Sequence, residues 1–98
     1  MFTMNVKLIR LNTGEDIIAD LVRDFDDVII VSNPIVAVPS GRSELGFAPW
    51  SPLLSKEVKE LTISKKFVVY ISETQDQIVE QYNQIFSTII TPNKKLSI

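Results

Sequence analysis

Cysteine and histidine are both missing from this 98-residue chain. Without cysteine there is no disulfide, no thiolate metal site and no thiol nucleophile. Without histidine the commonest metal ligand and the commonest general base are gone as well. A nucleophile triad of the usual kinds is therefore unavailable. No stretch approaches the ~18 consecutive apolar residues that a membrane-spanning helix needs. Residues 1–7, Met-Phe-Thr-Met-Asn-Val-Lys, show neither the basic start nor the apolar run of a signal peptide. Ser40-Gly41-Arg42-Ser43 lacks the Gly-Lys-Ser/Thr of a phosphate-binding loop. These absences predict a cytosolic, non-catalytic protein with no cofactor, no metal and no membrane association.

What is present fits one domain. A chain of this length buries somewhat over ~60% of its unfolded surface in a single core, and no internal repeat or linker divides it. The net charge of −2 argues against the strongly basic surface of an indiscriminate nucleic-acid binder. Its distribution is uneven. Glu15, Asp16, Asp20, Asp24, Asp26 and Asp27 crowd one region against Arg23 alone, while Lys7, Arg10, Lys56, Lys59, Lys65, Lys66, Lys94 and Lys95 lie elsewhere. Asp24, Asp26 and Asp27 are a carboxylate set of the kind that attracts Mg²⁺ or Ca²⁺. Lacking the glycine and the distal glutamate of a calcium loop, they read as a solvated acidic turn.

Most of the chain reads as strand. Residues 5–11 form the first, and Asn12-Thr13-Gly14-Glu15 supplies turn chemistry. Residues 16–23 form the second, with Ile17, Ala19 and Leu21 on one face and Asp16, Ile18, Asp20 and Val22 on the other. After the turn at 24–27, residues 28–38 read as one long strand kinked or bulged at Pro34, since proline cannot donate to a ladder. Further strands are expected at 44–50, 58–63 and 67–71. Residues 51–56 carry no clear signal.

One amphipathic helix closes the pattern, over about residues 73–90. Ser72 and Gln75 have the spacing of a capping box, and Glu73 and Asp76 suit the first turn. Ile78, Val79, Tyr82, Ile85, Phe86, Ile89 and Ile90 recur on one helical face. Pro92 ends the helix and leaves a tail at 91–98. The strands at 28–31 and 67–71 are apolar on both faces, as doubly covered strands are. One helix is limited cover for such a sheet, so either the sheet closes on itself or subunits pair, and a homo-oligomer is expected.

The order of these elements resembles the Sm-like superfamily, the LSm and Hfq proteins. The residues that carry the resemblance are Val6-Lys7-Leu8-Ile9-Arg10-Leu11, then Gly14, then Ile17, Ala19 and Leu21, then Phe25-Asp26 and Val28-Ile29-Ile30. A second, shorter signature is matched by Leu61-Thr62-Ile63-Ser64-Lys65 followed by Lys66-Phe67-Val68-Val69-Tyr70-Ile71. The likeness covers roughly half the chain and extends to the divergent Sm-like proteins of marine cyanophages. It implies a mainly β fold, a small bent five-stranded barrel with the C-terminal helix added, and a homo-oligomeric ring. It also implies a location in the cytoplasm, that of the host if the chain is of phage origin.

For function, the resemblance implies single-stranded RNA binding at two turns brought together near a pore. On this chain those turns carry Phe25, Asp26 and Asp27 and Ser64, Lys65 and Lys66. The family's pocket asparagine falls on Ile29 or Ile30, and its arginine and glycine fall on Ser64 and Lys65. The family helix usually precedes the barrel, whereas here it follows. Lys65 and Lys66 repeated around a ring would make a positive belt, and Phe25 and Phe67 could offer stacking surfaces. The plainer reading takes both lysines as solvated turn residues and both phenylalanines as core, with core preferred for Phe67. Two functions stay open: single-stranded RNA or DNA binding in nucleic-acid processing, or an oligomeric scaffold that binds proteins.

Overall fold

A computed structural model describes residues 4–39, 41 and 45–87. Six strands and one α-helix are seen there: β1 (Val6–Leu11), β2 (Asp16–Asp24), β3 (Val28–Pro39), β4 (Leu45–Pro49), β5 (Leu61–Ser64), β6 (Val68–Ser72) and α1 (Asp76–Ser87). A 3-10 turn, Lys65–Phe67, joins β5 to β6. All the pairings are antiparallel, in the order β4-β3-β2-β1-β6. β3 is long enough to take two partners along one edge. Its residues 28–31 pair with β5 and its residues 35–39 pair with β4.

The mainly β class with a C-terminal helix is as expected; the strands, expected as a small bent five-stranded barrel, form a six-stranded antiparallel sheet that does not close among the described residues. The sheet has six strands, and among the described residues no ladder joins β5 to β6. It curls instead. Ladder irregularities fall between Ile18 and Asp20, between Leu21 and Arg23, and between Arg10 and Leu11. Such bulges bend a strand and increase its twist. The result is a core cluster of Ile9, Leu11, Ile17, Ala19, Ile29, Val31 and Ile63, against which Leu61 of β5 and Val68 and Ile71 of β6 also pack. Strands at opposite ends of the sheet thus fill one interior without pairing.

A second cluster lies on the other side of the sheet. Val6, Ile18 and Ile35 meet Ile78 and Tyr82 of α1, with Leu8, Phe47, Val79 and Phe86 around them. The period-two reading of β2 holds, with Ile17 and Ala19 in one cluster and Ile18 in the other. β3 departs from strict alternation. Ile29 and Val31 belong to the interior, yet beyond the bulge Val36 packs inward and Ile35 meets the helix. The change occurs at Asn33, which takes a left-handed backbone with φ 51°. Asparagine tolerates that conformation better than most residues.

The bulge opposite Ala19 opens the ladder, and a side chain from α1 serves it. The Tyr82 hydroxyl accepts from the Asp20 N–H and lies 3.0 Å from the carbonyl oxygens of Ser32 and Asn33, to which it donates. Buried backbone groups need partners of this kind. Tyr82 is fully buried, and that burial pushes its phenol pKa above the usual value.

The helix begins later than the sequence pattern predicts. Ser72 is the last residue of β6, opposite Leu8, and its hydroxyl donates to the Glu73 carbonyl. No capping box forms, because the ladder with β1 continues through Ser72, and Glu73 turns to an ion pair with Lys7. Gln75 closes the first turn, its carbonyl accepting from the N–H groups of Ile78 and Val79 at 3.0 Å. Residues 88–98, with Ile89, Ile90 and Pro92, lie outside the described residues. The strand expected over 58–63 is confined to Leu61–Ser64.

Candidate functional site

Two turns, β2–β3 and β5–β6, meet at one end of the sheet, and the β1–β2 turn, at the other end of β2, is tied to them. The β2–β3 turn is closed by the Phe25 N–H donating to the Val28 carbonyl at 2.9 Å. β5 reaches the same end because Ser64 pairs with Val28. There the Ser64 hydroxyl accepts from the Lys66 N–H, starting the 3-10 turn. The Lys65 N–H donates to the Asp27 carbonyl at 2.8 Å, which fastens one turn to the other. The β1–β2 turn joins them through the Asn12 N–H, which donates to the Phe67 carbonyl at 2.7 Å. Gly14 shapes that third turn at φ 95°, a conformation favouring glycine.

All six residues singled out from the sequence therefore sit at this end: Phe25, Asp26, Asp27, Ser64, Lys65 and Lys66. Phe25 is 48% exposed. Phe67 is a correction, at 53% exposed rather than in the core. The 3-10 turn buries none of its residues, and β6 first contributes to the interior at Val68. Two aromatic side chains thus lie open to solvent beside the lysines.

The electrostatics depart from a simple basic belt. Lys65 Nζ is 2.5 Å from an Asp24 carboxylate oxygen, so one of the two lysine charges is already opposed. Among the described residues Lys66 has no ion partner. Asp24 reads from the sequence as part of an acidic turn, and its pairing with Lys65 is missed there, since its sequence signal is no more than membership of an acidic run. Asp24, Asp26 and Asp27 do not converge as cation ligands, because no group of three or more metal-ligating side chains occurs among the described residues. Nearby, Arg10 bonds Asp16 and lies 5.9 Å from the centre of the Tyr70 ring. The hydrogen bond and the charge of Asp16 together raise the Arg10 pKa further.

A separate cavity of about 290 Å³ opens between β3, the 51–60 segment and α1, where Val31, Pro34, Leu54, Val58 and Phe86 meet Lys59. No helix among the described residues is long and apolar enough to cross a membrane. No protein-family model matches the chain, and no curated protein matches it.

Proposed function

We propose that this chain is a non-catalytic Sm-like protein that forms a homo-oligomeric ring and binds single-stranded nucleic acid, RNA first, in RNA or DNA processing. The site is the end of the sheet that carries residues 25–27 and 64–67. One observation carries the reading: the two turns are fastened together by the Lys65 N–H to Asp27 carbonyl bond, with Phe25 and Phe67 exposed beside Lys66. Stacking of a base on an exposed aromatic contributes roughly 1–3 kcal/mol and needs no particular base. The curled sheet, whose end strands share one interior, supports the Sm-like reading, since that family's fold is a small bent barrel.

The test is a titration of labelled single-stranded RNA and DNA at low and physiological salt, read by anisotropy. Binding that weakens with salt, and that Lys65→Ala with Lys66→Ala abolishes while the oligomer persists, is the expected result. No binding even at low salt would overturn the reading.

A second reading has its own support. Among the described residues the outer edge of β6 pairs with no strand, and Val69 and Tyr70 on β6 are exposed. Open strand edges accept further strands. On this reading the chain is a protein-binding scaffold. A ring that assembles normally yet ignores every oligonucleotide would favour it.

A further inference from the structure

The nucleic-acid reading assigns Lys65 and Lys66 the same task, but their surroundings differ. Lys65 is engaged twice. Its N–H holds the Asp27 carbonyl, and its ammonium meets the Asp24 carboxylate. Among the described residues Lys66 is tied only through its N–H, to the Ser64 hydroxyl, and its ammonium has no ion partner there. The Asp24–Lys65 pair is not sealed away, with the two side chains 50% and 33% exposed. A phosphate arriving at Lys65 meets a carboxylate already in place.

Resting on that reading of the site, we infer that Asp24 is a built-in competitor for nucleic-acid phosphate. Its carboxylate occupies the Lys65 ammonium in the unbound protein, leaving Lys66 as the phosphate contact and Phe25 and Phe67 as the stacking surfaces. Binding by the wild-type chain is then weak, with a shallow dependence on salt. A phosphate that displaces Asp24 gains one cation but releases one uncompensated carboxylate beside itself. Removing the charge of Asp24 frees Lys65 without dismantling the turn. The main-chain bond to Asp27 remains, and an exposed ion pair contributes little to stability.

The experiment uses a fluorescein-labelled 15-nucleotide oligouridylate and the full chain, titrated between 0.05 and 0.5 M salt. One freed phosphate contact steepens the slope of log K against log salt by about 0.7 and tightens binding about fivefold at 0.1 M. Asp24→Asn should show both changes. Asp26→Asn is the control, because it removes the same charge from the same turn at a residue with no ion partner among the described residues. Its effect should be smaller. Asp24→Asn combined with Lys65→Ala should return to the wild-type affinity.

The competitor role is overturned if Asp24→Asn binds no tighter than Asp26→Asn, or if the double variant stays as tight as Asp24→Asn. The broader reading fails separately. If the wild type binds and loses affinity on Phe25→Ala with Phe67→Ala, the site stands whatever Asp24 does. If neither the wild type nor Asp24→Asn binds at the lowest salt, both the site and the competitor role fall.

Discussion

The two sides of the sheet are packed by different chemistry. On the inner side, Ile9, Leu11, Ile17, Ala19, Ile29, Val31 and Ile63 meet as aliphatic groups, with nothing among these seven to hydrogen-bond. Hydrophobic burial of this kind is non-directional and fixes no single partner by itself. On the helix side, Val6, Ile18, Ile35 and Ile78 surround a phenol whose hydroxyl serves three backbone groups at one bulge. The inner side is held by hydrophobic burial among these seven side chains. The helix side supplies the directional contact that sets where α1 lies.

Breaking each side tests that division. Ile29→Ala empties part of the inner core cluster and should cost about 2–5 kcal/mol, read from a urea midpoint. A loss below ~1 kcal/mol would mean the interior collapses freely and is not tightly packed.

Tyr82→Phe keeps the ring and removes only the hydroxyl, stranding the Asp20 N–H and the carbonyls of Ser32 and Asn33. The expected cost is about 1–3 kcal/mol, the usual range for a buried polar group left unpaired. Its pH signature is specific. Burial raises the Tyr82 pKa, so the folded chain keeps a proton that the unfolded chain gives up near pH ~10. The stabilisation is complete below that value and is lost as pH rises beyond it. The Phe variant should lack this alkaline component, and an unchanged alkaline slope would assign the loss to other groups.

The smallest effect belongs to the Lys7–Glu73 ion pair where β6 hands over to α1. Lys7→Ala should cost no more than ~1 kcal/mol, because the Glu73 side chain is 81% exposed. A larger loss would make the strand-to-helix link part of the directional contact.

Much of this was legible in the sequence, for identifiable reasons. β1, β2 and the irregular β3 follow from alternation and from the break at Pro34, since sheet periodicity is local. The helix face was legible through Ile78, Val79, Tyr82 and Phe86, but its start was not. Whether Ser72 caps a helix or ends a strand depends on the β1 ladder, which lies more than sixty positions away in sequence. Phe67 was misread because a 3-10 turn shifts the inward positions of the next strand to Val68 and Ile71. At the candidate site, the meeting of the two turns was expected from the family likeness. The Asp24–Lys65 pairing was not, because side-chain partners across forty residues leave no mark on spacing.

The Asn33 bulge has an evolutionary consequence. Strict alternation from Val31 would point residue 33 inward, and the observed inward residue beyond the bulge is Val36. The strand therefore contains one residue more than its two faces require. Deleting Asn33 would leave Val36 inside and Ile35 under the helix, so the position can lose a residue without exchanging the faces. What such a deletion would remove is the opening that Tyr82 fills. A lineage that lost the extra residue would have no use for that hydroxyl, and the two positions should change together.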